Sequence, residues 1–134
     1  MIFNALIPEL TVANLQDSRR FYIDILGFEI EYARDESKFV FLSLHGSQIM
    51  LEERNGHWET GALEHPFGRG INFQIFVPQI QPIVDSLIAA KHALMKEPWE
   101  SWYRKNDSEV GQRQFLVQDP DGYLLRFAES LGTR

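Results

Sequence analysis

Five polar side chains, Glu9, Glu52, Asn72, Gln74 and Arg126, stand inside otherwise apolar, strand-like runs of this 134-residue chain. A carboxylate held among apolar groups can accept a proton as a general base. Carboxamides offer both donors and acceptors, and a guanidinium supplies a fixed positive charge. Near them in sequence lie Trp99, Trp102 and Tyr103 in "EPWESWYRKND" and Trp58 in "HWETG". Half-exposed rings of this kind can stack on planar heteroaromatic ligands, or else pack a sheet edge or a dimer interface. Several other chemistries lack their residues. There is no Cys, hence no thiolate nucleophile or thiolate metal site, and no Ser-His-Asp order or Gly-rich phosphate loop has supporting context. His45, His57, His65 and His92 fall in turns, a connector and a helix end, and no two share a ligand spacing on one element.

The elements that must hold these residues follow from hydrophobic period and turn chemistry. "NALIPELTV" alternates at period two and predicts a first strand, with Pro8 at an edge or an unpaired position. Asn14 offers a helix N-cap with Asp17 near the dipole. Leu15, Tyr22 and Leu26, with Phe21 and Ile25 beside them, form one helical face, and Gly27 is placed to end it. "FEIEYAR", "KFVFLSL" and "QIMLEE" follow as strands separated by Asp-Glu-Ser and His-Gly-Ser turns. Residues 54–70, with four Gly and a Pro, read as a connector. The pattern then restarts with "INFQIFV" as a strand and "IQPIVDSLIAAKHA" as a helix, and "LMKEPWESWYR", "GQRQFLVQ" and "GYLLRFAES" complete it. The chain thus reads as a repeat of two β-α-β-β-β modules, about 1–53 and about 71–134, in a single domain spanning 1–134, with a single ferredoxin-like sheet carrying extra strands as the non-repeat alternative. Neither half can bury its helix face and its sheet alone, so the two sheets are expected to share a core or to curve around a common cleft.

Strand parity sorts the side chains. Ile71, Phe73, Ile75 and Val77 oppose Asn72, Gln74 and Phe76, and Ile49 and Leu51 oppose Gln48, Met50 and Glu52. Tyr123, Leu125 and Phe127 oppose Leu124, Arg126 and Ala128, and in the first strand Ile7, Glu9 and Thr11 share the second face. Four strands therefore carry a mixed face holding Glu9, Glu52, Asn72, Gln74 and Arg126. On this pattern alone it is either a ligand surface or the solvated side of an antiparallel sheet.

Composition narrows the partners. A net charge of −6, from 13 basic and 19 acidic side chains, with no basic run, argues against nucleic acid. An apolar fraction of 44%, with 10 Phe, 4 Tyr and 3 Trp, covers a sizeable core and leaves rings for a ligand. No stretch approaches the length of a membrane span, and "MIFNALIPEL" lacks basic flanks and a cleavage pattern, so a soluble cytoplasmic protein is expected.

"PELTVANLQDSRRFYIDILGFEI", "FGRGINFQIFV" and "QFLVQDPDGYLLRFAES" together resemble the glyoxalase, bleomycin-resistance and extradiol-dioxygenase superfamily, the vicinal oxygen chelate proteins. The resemblance implies an α+β fold in which the two modules form a half-open curved mixed sheet around a cleft, with the helices on its convex side. It also implies a homodimer, which in bleomycin-resistance members exchanges its first strand and holds two ligand clefts. Enzymes of the superfamily bind a divalent ion through His and Glu on the first and last strands of the modules. Here the matching positions are Ile7, Met50, Asn72 and Arg126, none a good ligand, and Arg126 would set a positive charge where the cation sits. No metal cofactor of the superfamily type is therefore expected. Glu52 as a base remains an alternative to Glu52 paired with Arg126 or another cation. The expected protein is a metal-free homodimer that sequesters a small molecule such as a bleomycin-type antibiotic, a large cationic ligand with a planar bithiazole. Its expected cleft lining is Phe41, Met50, Glu52, Asn72, Gln74, Trp102, Tyr103 and Arg126. The alternative is a glyoxalase- or dioxygenase-related enzyme, a lyase, isomerase or oxygenase, with an atypical metal site.

Overall fold

A computed structural model describes residues 1–134 as an α+β protein with two βαβββ-like modules, each built on a four-stranded mixed sheet. Cα packing divides the chain into two compact units, Met1–Phe67 with Pro120–Gly122, and Gly68–Asp119 with Tyr123–Arg134.

In the first unit β1 (Glu9–Val12) leads to α1 (Leu15–Arg19), a π-helical stretch (Arg20–Ile25), β2 (Glu29–Arg34), β3 (Phe39–Leu44) and β4 (Ser47–Glu53). The sheet order is β1-β4-β3-β2, with β1 parallel to β4 and the other pairs antiparallel. β1 is shorter than the alternation predicts. The Pro8 carbonyl still accepts from the Met50 N–H, but proline has no N–H to extend the ladder, and Leu6 is exposed. The Asn14 side chain caps α1 by accepting from the Asp17 N–H, and Gly27 at φ +90° ends the helical run, both as the residue types predict. The run changes character in its middle, however. The Leu26 N–H reaches the Phe21 carbonyl, five residues back, and this wider turn leaves the neighbouring rings of Phe21 and Tyr22 both buried, edge to face with centroids 5.2 Å apart. Each such ring contributes about 1.5–3 kcal/mol on burial. Leu10, Val12, Val40, Leu42, Ile49 and Leu51 complete the buried side of this sheet.

The second unit runs β5 (Asn72–Phe76), α2 (Gln81–Ala89), β6 (Lys96–Lys105), β7 (Ser108–Gln118) and β8 (Leu124–Thr133), in the order β5-β8-β7-β6. Pro82 sits in the first turn of α2, where a missing N–H costs nothing, and Ile80, Ile83, Val84 and Leu87 form its buried side. Phe115 and Phe127, partners across β7 and β8, stack with centroids 5.4 Å apart and are fully buried. The register between β6 and β7 shifts between Lys96 and Trp99, a span that contains Pro98, whose missing N–H cannot serve the ladder. No helix is long and apolar enough to cross a membrane.

Candidate functional site

Each sheet carries the mixed face that alternation predicts, and register sets what stands on it. In the first unit the pairing aligns Glu9, Met50, Phe41 and Tyr32 in one row across β1, β4, β3 and β2. Thr11, Glu52, Phe39 and Arg34 form the next row. Met50, Glu52 and Phe41 thus share a face. Phe41 is only 1% exposed, because Tyr32 stacks on it at 5.1 Å and Phe3 meets it edge-on at 5.5 Å. Phe3 is held there by the chain around it: Asn4 donates from its backbone to Gln48 Oε1 and from its side chain to the Gly46 carbonyl, and Gln48 donates to the Ile2 carbonyl. The Arg34 guanidinium lies 4.1 Å from the centre of the Phe39 ring.

The carboxylates of this face are unequally placed. Glu52 Oε1 accepts from Asn55 Nδ2 at 2.7 Å and has His57 Nδ1 at 4.0 Å. Glu9 Oε1 is buried without a hydrogen-bond partner. Burial raises the pKa of Glu9, the Glu52 charge raises it further, and Arg34 partly opposes them. Two polar recesses of about 440 and 470 Å³ open beside this sheet; both include Lys38 and Glu53, and neither includes Phe41 or Met50.

In the second unit β8 places Arg126 beside Gln74 of β5 and Leu116 of β7. On the same face stand Asn72 and Phe76 of β5, Gln112 and Gln114 of β7, and Trp99, Ser101 and Tyr103 of β6. Gln74 donates to Gln112 Oε1 at 2.7 Å. Gln114, fully buried, donates from Nε2 to the Tyr103 hydroxyl oxygen. Hydrogen bonds from Ser101, from Gln114 and from Arg126, together with the Arg126 charge, lower the Tyr103 pKa, the Ser101 bond contributing most and burial opposing it. Lys96 Nζ lies 3.9 Å above the Trp99 ring. Asn72, Gln74, Tyr103 and Arg126 therefore stand together.

Trp102 does not join them. It pairs with Gly111 and lies against it on the opposite face, where its indole N–H donates to Glu100 Oε2 and the Arg134 guanidinium stacks at 4.2 Å. Adjacent residues of a regular strand point to opposite sides, so Trp102 and Tyr103 cannot both line one surface. Trp99 takes the place expected of Trp102. The same parity test, applied to "GQRQFLVQ", separates Gln112 and Gln114 from Phe115 and Val117 and was the available signal for both glutamines.

The donor set does not fit a divalent cation. No group of three or more His, Cys, Asp or Glu side chains is placed to hold one. The positions that resemble the superfamily's ligands carry a hydrocarbon (Ile7), a thioether (Met50), a carboxamide (Asn72) and a guanidinium (Arg126). Of the histidines, His92 Nε2 is 2.8 Å from the Gln118 carbonyl oxygen, while His45, His57 and His65 are exposed.

A sequence profile described as glyoxalase/bleomycin resistance protein/dioxygenase superfamily matches residues 6–127. A glyoxalase/bleomycin resistance protein/dioxygenase superfamily member from Vibrio splendidus 12B01 is 36% identical, with 92% of this chain and 95% of that one covered and a TM-score of 0.42. TioX from Micromonospora sp. ML1 is 15% identical, covering 96% and 100%, with a TM-score of 0.74. A glyoxalase/bleomycin resistance protein/dioxygenase from Alicyclobacillus acidocaldarius is 14% identical, covering 96% and 92%, with a TM-score of 0.65. The latter two likenesses speak to fold alone. The comparison with curated proteins gives no match.

Proposed function

The chain belongs to the glyoxalase/bleomycin resistance protein/dioxygenase superfamily, and on that premise we propose that it is a metal-free small-molecule binding protein. It sequesters a ligand such as a bleomycin-type antibiotic, as a homodimer, in an antibiotic-resistance role. The observation that carries this reading is Arg126. The Arg126 guanidinium stands beside Gln74 on the mixed face of β8, at the position that resembles the superfamily's metal-binding carboxylate. A fixed cation there disfavours a metal ion and leaves hydrogen bonding and stacking as the available chemistry. The half-buried Trp99 ring supplies planar apolar surface on the same face, and the net charge of −6 attracts a cationic ligand.

Titration with metal-free bleomycin, followed by Trp fluorescence, tests the proposal. A saturable change at micromolar ligand, with light scattering reporting twice the chain mass, is the expected result. No saturable change refutes the antibiotic assignment, and a monomer refutes the dimer. One observation favours an enzyme instead: Glu9, its pKa raised beside Glu52, is a carboxyl poised to exchange a proton nearer neutral pH. Stoichiometric nickel, zinc, iron or manganese in protein purified without chelators would replace the binding reading with a glyoxalase- or dioxygenase-related enzyme.

A further inference from the structure

On the mixed face of the second unit two buried polar atoms lack hydrogen-bond partners, Gln114 Oε1 and Arg126 Nε. Gln114 is 0% exposed, and a buried polar atom left unpaired is costly enough that native proteins keep few of them. The two are neighbours. Gln114 of β7 pairs with Ala128 and Arg126 of β8 pairs with Leu116, a diagonal on one face that long side chains can span. The Gln114 amide donates to the Tyr103 hydroxyl oxygen, and the Arg126 charge acts on the same phenol, so both unpaired atoms belong to groups gathered around Tyr103.

Their chemistry is complementary rather than alike, since Gln114 Oε1 can only accept and Arg126 Nε can only donate. A carboxylate offers acceptors alone and would face the Gln114 oxygen with a second oxygen. An ammonium offers donors alone and would meet the Arg126 charge. A planar group with one acceptor and one donor answers both. Resting on the reading of this face as a ligand surface, we propose that Gln114 and Arg126 form a carboxamide-recognition site. It takes a primary amide or a lactam edge of the ligand, whose carbonyl accepts from Arg126 Nε–H and whose N–H donates to Gln114 Oε1. Tyr103, 41% exposed on the edge strand β6, is the side chain that turns aside to admit it. Trp99 on the same strand face provides a ring for the planar body behind the amide.

Benzamide, benzoate and benzylamine, three probes of one shape, are titrated in the millimolar range against the full-length 15N-labelled protein. The Gln114 side-chain NH2 and Arg126 Nε–H NMR signals are followed. Benzamide shifts both signals along one saturation curve, and benzoate and benzylamine bind about tenfold more weakly. Gln114→Met and, as a half-buried alternative less able to disturb the core, Arg126→Met each weaken benzamide by about tenfold while leaving the rest of the spectrum folded. The proposal is overturned if benzamide produces no saturable shift at these two groups, if benzoate binds as tightly as benzamide, or if neither variant weakens benzamide. The bleomycin titration separates the two readings: bleomycin binding without benzamide binding sinks the carboxamide site alone, and benzamide binding without bleomycin binding sinks the antibiotic assignment alone.

Discussion

Gly122 closes the Pro-Asp-Gly turn that leads into β8 and thereby sets where Arg126 stands, so its replacement by Ala probes the link from turn to site. Its φ of +93° lies in the left-handed region, and an added Cβ would fall 2.4 Å from Pro66 Cβ and 2.5 Å from Pro66 Cα. The conformation costs an L-residue roughly 1–2 kcal/mol. Forcing a methyl against a backbone atom adds about 1–3 kcal/mol, since Pro66 Cα is not the mobile end of a side chain. Gly122→Ala should therefore lose about 2–5 kcal/mol, a large part of the ~5–15 kcal/mol typical of a folded domain. That loss corresponds to a fall in Tm of about 4 °C per kcal/mol. Gly46 supplies the control, with φ +87° and nothing within 4 Å of the added Cβ. Gly46→Ala should show only the conformational part, about 1–2 kcal/mol. Urea unfolding of the three proteins, compared by midpoint at equal slope, reads the difference as the Pro66 contact. Equal midpoints for the two variants would show that the close approach of Gly122 to Pro66 does not constrain this turn.

Three further outcomes are expected. Because the folded-state pKa of Glu9 is raised, its ionisation opposes folding: stability is greatest below the unfolded-state pKa and falls as pH rises through the folded one. Glu9→Gln should thus stabilise the protein at pH 7, with the gain vanishing in acid, as measured by urea unfolding at both pH values. Glu53 behaves oppositely, its pKa lowered first by the Leu15 N–H and then by Lys38, so its contribution is present above the unfolded pKa and lost as pH falls through the folded one. Glu53→Gln should cost about 0.5–1 kcal/mol at neutral pH after solvent screening, and nothing in acid. Ser101→Ala removes the largest cause of the lowered Tyr103 pKa and should move its titration toward that of an ordinary tyrosine, followed by tyrosinate absorbance; an unchanged titration would remove Ser101 from the group around that oxygen.

Much of the fold was legible in local residue chemistry. Asn14 and Gly27 bound the first helical run, turn residues separate β2, β3 and β4, and period-two alternation places Met50, Glu52, Asn72, Gln74 and Arg126 on mixed faces. These signals are local because side-chain direction repeats with the backbone itself, every two residues in a strand. At the start of β1 the alternation outruns the ladder, since Pro8 keeps the apolar rhythm but has no N–H to pair. Trp102 departs from the expected lining for a different reason. Its aromatic character suggested a ligand wall, while strand parity, once β6 is known to include both it and Tyr103, puts it on the other side.

Residue types and spacing determined by themselves that the chain repeats a β-α-β-β-β unit and which strand faces are polar; the family resemblance they carry implied that the positions matching a metal site lack metal-binding side chains. Only the tertiary structure decided that Gln114, Tyr103 and Arg126 meet, that Phe3 closes over Phe41, and that the helical run widens at Phe21 and Tyr22. Those outcomes depend on register between segments far apart in sequence, on the β6–β7 shift at Lys96–Trp99, and on which carbonyl an N–H finds. Such choices are settled by competition among pairings over the whole sheet, and no window of a few residues contains them.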